Sequence, residues 1–126
     1  MPAVPKPKKT KSRKKGVSDI TKQDYERMID EFGECCMICG KYPAEAHHLV
    51  FRSQSSNGNW RNLAPLCNAC HTRAHRQREF ADYLREMRAE RFGQHYGKSA
   101  YALYLAGFIE EPSEQAYELL MRREER

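Results

Sequence analysis

The sequence predicts an α+β fold, mainly helical, in which a metal-stapled hairpin sits between an N-terminal helix and several C-terminal helices. Three observations predict it. Two Cys-x2-Cys pairs, Cys36/Cys39 and Cys67/Cys70, frame a stretch with strand-like segments. Apolar residues recur at helical spacing on both sides of that stretch. The chain of 126 residues is polar and heavily charged, so its core is small and needs a metal or a disulfide to support it. That length suits one domain better than two. The cysteines number five, an odd count in tight pairs, which fits a metal in a reducing compartment better than a disulfide framework.

The first element is a basic tail, residues 1–17. Residues 1–16 hold seven cations (Lys6, Lys8, Lys9, Lys11, Arg13, Lys14 and Lys15) and no acid. Of 22 basic residues, 15 therefore remain elsewhere against 17 acidic ones, a formal charge of −2 for the rest of the chain. A segment rich in Pro and Lys buries no apolar surface and is expected to be disordered. It reads either as a solvated tail or as an arm along nucleic-acid phosphates. It has no apolar region of a secretory signal, and nowhere does the chain approach the roughly 18 apolar residues of a membrane span. The expected location is cytoplasmic, or nuclear in a host with a nucleus, with no membrane partner.

Residues 18–126 read as a single domain. Thr21 can cap a helix over 21–32, with Asp24 in its first turn; Tyr25, Met28, Ile29 and Phe32 recur on one face, and Gly33 offers a stop. Gly40 can take a positive φ just after the second sulfur of a tight Cys36–Cys39 turn. Residues 45–51 read as a strand, 53–60 as a polar loop with an Asn57-Gly58 turn, and 62–66 as the returning strand. Asn68 can cap a long helix that starts near Ala69, carries Phe80, Tyr83, Leu84 and Met87, and ends at Gly93. Ser99 begins a short helix with Tyr101, Tyr104 and Leu105, ended by Gly107. Pro112-Ser113 starts the last, with Tyr117, Leu120 and Met121 on one face. Packing is the default reading for these aromatic, Leu and Met positions.

Chemistry concentrates between residues 36 and 75. Cys36, Cys39, Cys67 and Cys70 match a closed tetrahedral zinc site, and a helix N-terminus at the second pair favours thiolate anions. Cys35 could replace Cys36, but the x2 spacing and Gly40 favour Cys36, which leaves Cys35 as a spare thiol. His71 and His75 are i, i+4 and can grip one ion. Neighbours on a helix differ by about a hundred degrees, so Cys70 and His71 serve different sites. His47 and His48 stand side by side on a strand and point to opposite faces, which implies two jobs. One of them can face the helical pair, making a histidine centre with open positions, the mark of a catalytic metal.

His47-His48, Asn62, and His71 with His75 resemble the motif of the HNH endonuclease family, over roughly residues 36–75. The resemblance implies a ββα-metal finger, treble-clef-like and stapled by zinc in the cysteine-bearing branch, with residues 76–126 as a helical extension. It implies metal-dependent hydrolysis of DNA phosphodiester bonds, by nicking or double-strand cleavage, to 5′-phosphate and 3′-hydroxyl ends. By resemblance His47 is a metal ligand, His48 the general base, Asn62 the residue that fixes the base or its loop (in some members it coordinates the metal), and His71 and His75 further ligands. Glu45 matches an acidic position behind the metal in some members, although an exposed strand glutamate is the commoner outcome. Arg52 and Arg73 can bind phosphate or stay solvated, and His95 lies outside the motif.

The chemistry is compatible with those roles: an unperturbed imidazole titrates near pH 6.5, so His48 can accept a proton at working pH. Many cysteine-bearing relatives have Asp where this chain has His47. Imidazole suits Ni²⁺, Co²⁺, Zn²⁺ and, less strongly, Mn²⁺, so dependence on Mg²⁺ is the weakest expectation. The resemblance extends to small phage or prophage nucleases, and with them to packaging or recombination proteins as partners; restriction and homing roles are alternatives. Two other classes compete. A non-catalytic zinc-finger DNA-binding module explains the cysteines and the tail but leaves His48, Asn62 and His75 without reasons. A zinc-stapled interaction module would use the Tyr-rich C-terminal helices.

Overall fold

The computed structural model describes residue 16 and residues 18–126. It is mainly helical, with one two-stranded antiparallel sheet. Helix α1 spans Lys22–Phe32. Thr21 caps it as expected: its Oγ1 accepts the Asp24 N–H at 3.0 Å and donates to Asp24 Oδ2 at 2.8 Å. A cap of this kind contributes about 1 kcal/mol. Asp24 also accepts the Trp60 N–H at 3.2 Å, which ties the start of the helix to the hairpin loop. Met28 is buried and Phe32 packs on the core, but Tyr25 is 40% exposed and is not the core residue its spacing suggested.

The tight turn at the first cysteine pair closes through Gly40 N–H to Cys36 O at 2.8 Å and Cys36 N–H to Lys41 O at 2.9 Å. Gly40 takes φ +77°, the left-handed conformation that an L side chain resists. Met37 N–H reaches Pro65 O at 2.9 Å, joining this turn to the sheet.

Strand β1 is Glu45–His48 and strand β2 is Leu63–Leu66, with His47 opposite Ala64 and His48 opposite Leu63. The expected strand over 45–51 therefore stops three residues early. The reason is Asn62. Its carbonyl takes the Leu49 N–H at 2.9 Å, and its side-chain oxygen takes the Val50 N–H at 2.8 Å, so one residue replaces the partner strand.

The loop between the strands is also more ordered than its polarity suggested. It contains 3-10 turns at Arg52–Gln54 and Trp60–Asn62. The left-handed residue is Ser55, at φ +57°, rather than one of the Asn57-Gly58 pair. Asn57 holds the backbone carbonyls of Tyr96 and Lys98, each at 2.9 Å, and so fastens the loop to the segment before the fourth helix.

The long helix expected from about Ala69 to Gly93 is two helices, α2 at Asn68–Arg76 and α3 at Arg78–Phe92. Gln77 between them is extended, at φ −112° and ψ 106°. No Gly or Pro marks the break. It lets Phe80, Ala81, Leu84, Ala89 and Phe92 of α3 bury against the hairpin while α2 keeps its own face toward β1, so tertiary packing overrides local propensity. The N-cap of α2 is Cys67, not Asn68; its sulfur accepts the Cys70 N–H at 3.5 Å.

Helix α4 is Ala100–Leu105, capped by Ser99, and α5 is Glu114–Glu124, capped by Ser113. In α5, Tyr117, Leu120 and Met121 are buried as their spacing predicts. In α4 the buried residue is Leu103; Tyr101, Tyr104 and Leu105 face outward, contrary to the packing expectation. Arg88 of α3 lies beneath the hairpin, its guanidinium donating to Arg61 O and Leu63 O at 2.7 Å each and stacked 3.7 Å over the Phe32 ring. Among the described residues no helix is long and apolar enough to cross a membrane.

Candidate functional site

Two clusters of possible metal ligands flank the hairpin. Cys36, Cys39, Cys67 and Cys70 bring four sulfurs within 4.8 Å of one another. The Cys39–Cys67 and Cys39–Cys70 sulfur separations are 3.5 and 3.9 Å. Zn–S bonds of about 2.3 Å in a tetrahedron would set the sulfurs about 3.8 Å apart, so the donor set fits zinc. Burial opposes ionisation of Cys36, but backbone hydrogen bonds from Cys39, Cys67 and Ile38 outweigh it and bring the thiol down to about 6. Burial and the neighbouring sulfurs push Cys70 up to about 12. Four crowded thiols cannot all ionise without a cation among them, and a divalent ion deprotonates coordinating thiols outright. Cys35 is exposed and outside the cluster.

The second cluster is His47, His71 and His75, whose ligating nitrogens also lie within 4.8 Å of one another. Their ring centroids are 4.9 to 5.2 Å apart. His47 comes from β1, and His71 and His75 come from successive turns of α2. Burial, then the charges of His71 and His75, holds His47 down to about 3, so its imidazole is neutral with a lone pair to share. Its Nδ1 is buried without a hydrogen-bond partner among the described residues, a costly arrangement that a metal would relieve. His71 Nδ1 faces Glu45 Oε2 at 3.1 Å. A carboxylate behind one imidazole nitrogen orients the ring and leaves Nε2 as the ligating atom, as in many metal sites. The donor set therefore fits a divalent ion.

His48 does not join this cluster. It lines the same open cleft, with Ile20, Phe51, Arg52, His71 and His75, and its Nε2 lies 2.7 Å from Ser18 O. Burial lowers its pKa, partly offset by the Ser18 carbonyl. Asn62 is fully buried and shapes the loop beyond His48, holding Val50 N–H, Val50 O and Asn57 O, without touching the His48 ring. Arg73 turns away: its guanidinium stacks 4.0 Å over Phe80 and bonds Gln77. Arg52 reaches the cleft but pairs with Asp19 at 3.2 Å. His95 stands apart, against Phe108. The tail residues Lys8, Lys9, Lys11, Arg13, Lys14 and Lys15 lie outside the described residues.

Sequence reasoning missed two contributors. Phe51 stacks on His75 at 5.1 Å and meets His47 edge-on at 5.8 Å, while the Arg85 guanidinium covers its ring at 4.6 Å. Strand alternation gave no hint of this, because the backbone leaves the strand at His48. Ser18 is the other, and nothing in its local sequence points to a histidine 30 residues away.

A hairpin and helix that carry a four-thiol cluster and a three-imidazole cluster have the layout of a ββα finger with two candidate metal sites. Residues 35–77 match the HNH endonuclease family model. No curated protein and no solved structure gave a match.

Proposed function

We propose that the protein is a metal-dependent DNA endonuclease that hydrolyses phosphodiester bonds to 5′-phosphate and 3′-hydroxyl ends. The observation that carries this reading is the position of His48: it lines the cleft beside the three-imidazole cluster without belonging to it. A non-catalytic zinc finger has no use for such an imidazole. His48, neutral at working pH, accepts the proton of the attacking water. Asn62 holds the loop after β1 so that Phe51 and Arg52 frame the cleft. His47, His71 and His75 hold a divalent ion, which when bound supplies Lewis-acid polarisation of the phosphoryl oxygens. Three imidazoles favour Ni²⁺, Co²⁺, Zn²⁺ or Mn²⁺ over Mg²⁺. The four cysteines hold a structural zinc. The test is nicking of supercoiled plasmid over a divalent-metal panel, with and without chelator. Binding without nicking under every metal would leave the zinc-finger reading.

Glu45 supports this assignment from behind His71. Glu45→Gln should weaken affinity for the catalytic ion by about 10- to 100-fold, the usual scale for such partners. Excess metal should then restore cleavage. Metal titration of activity reads this directly, and a loss that no metal concentration repairs would assign Glu45 to another task.

Residues 18–126 form one nuclease domain in this reading, and the tail is its phosphate-binding arm. Without the tail the formal charge is −2, which attracts a polyanion poorly. Deleting residues 1–15 should flatten the log–log salt dependence of duplex binding by about four to five units, at about −0.9 per phosphate contact. Turnover at saturating DNA should survive. Fluorescence anisotropy over a salt series measures this, with His48→Ala in both proteins to prevent cleavage. An unchanged slope would move the binding charge elsewhere, for example to Arg73, Arg76 and Arg78.

A further inference from the structure

Resting on the reading of His48 as proton acceptor, we propose that Ser18–Ile20 is a working part of the nuclease site: its backbone selects the tautomer of His48. The Ser18 carbonyl oxygen lies 2.7 Å from His48 Nε2. A carbonyl oxygen only accepts, so Nε2 carries the hydrogen. A neutral imidazole has one N–H, so the lone pair that takes a proton stays on Nδ1. Free of that partner, the ring would exchange tautomers and turn about its side-chain bonds.

The segment is fastened on both sides. The Asp19 carboxylate pairs with Arg52 at 3.2 Å and accepts the Gly16 N–H at 2.8 Å, while the Asp19 N–H bonds Gly16 O at 3.1 Å. On the other side the backbone presses against Gly58. A Cβ on Gly58 would lie 2.2 Å from Asp19 O, 2.7 Å from its carbonyl carbon and 3.1 Å from that of Ser18. No real Cβ approaches backbone that closely, so this close packing accounts for glycine at 58. Ile20 then lines the cleft beside His48, His71 and His75, and Thr21 caps α1 immediately after. Ser18–Ile20 thus forms a strap across the site, held by a salt bridge on one edge and a glycine seat on the other. The carbonyl it presents is the only hydrogen-bond partner of the His48 ring among the described residues.

The test uses the full-length protein. Gly58→Ala forces a methyl group into the Asp19 backbone and lifts the Ser18 carbonyl from His48. Long-range ¹⁵N–¹H correlation spectra at about pH 8, above the usual imidazole range, report the tautomer. Wild type should show His48 protonated on Nε2, and Gly58→Ala a mixture of tautomers. On plasmid DNA kcat should fall by about tenfold, short of the roughly hundredfold cost of losing a general base outright. KM and zinc content should hold. Asp19→Ala breaks the Arg52 pair and the side-chain bond to the Gly16 N–H without adding an atom. It should give the same two changes in milder form, and it carries the test should Gly58→Ala not fold. An active enzyme whose His48 tautomer is unmoved in the variants overturns the strap alone. So does a moved tautomer with unchanged kcat, and a raised kcat would make the segment a lid over the cleft. A wild-type protein that cleaves under no metal overturns the reading of His48 as base, and this proposal with it.

Discussion

Replacing His48 by alanine should reduce cleavage by about a hundredfold or more, the usual scale of general-base loss, while the protein stays folded and keeps both metals. The geometry explains the split. His48 lies in the cleft but outside the imidazole cluster, so its loss removes no ligand from either group. It is half-buried and outside the hydrophobic core, so truncation leaves no large void there. His71→Ala should behave differently. It removes one of three imidazoles, so the affinity for the catalytic ion falls and excess metal partly restores the rate. Metal analysis of both purified variants, with rates over a metal titration, separates the two outcomes. Equal metal loss in both would contradict the division between base and ligand.

The second large effect is expected at the cysteine cluster. Cys67→Ser, or stripping of zinc, should unfold the hairpin and abolish activity together. Cys67 is buried, its sulfur caps α2, and it lies 3.5 Å from the Cys39 sulfur. Binding of a structural zinc contributes about 10–16 kcal/mol in small zinc domains, against a total stability of about 5–15 kcal/mol for an ordinary fold. A core this small cannot absorb such a loss. Thermal melting followed by circular dichroism should show the transition move far downward or vanish. Cys35→Ser is the control and should melt like wild type, because Cys35 is exposed and outside the cluster. Should Cys35→Ser melt early while Cys36→Ser does not, the assignment of sulfurs is inverted.

What the sequence made legible was whatever depends on short spacing. Two x2 cysteine pairs and an i, i+4 histidine pair are local rules, and they anticipated the two clusters the fold brings together. The cap at Thr21 and the helix starts at Ser99 and Ser113 were legible for the same reason. Contacts set by distant packing were not. The break at Gln77 has no breaker residue, because α3 turns to bury Phe80 and Leu84. The outward face of α4 followed from Leu103 taking the one inward position, which periodicity over six residues cannot distinguish from its neighbours. Phe51 and Ser18 reach the cleft across separations at which a sequence pattern carries no phase.

Cys70 and His71 are consecutive residues in the first turn of α2, one in each cluster. On the proposed assignment, this adjacency imposes an order of assembly. Zinc held by the thiolates would fix the N-terminus of α2 on the turn at Cys36 and, with it, the rotational phase that brings His71 and His75 to His47. Binding of the second ion should then be coupled to the first, and by linkage each should raise the affinity for the other by the same factor. A chain made where zinc is scarce would be inert toward DNA, however much of the catalytic metal surrounds it. On that assignment, maturation would be governed by the supply of an element that takes no part in the chemistry.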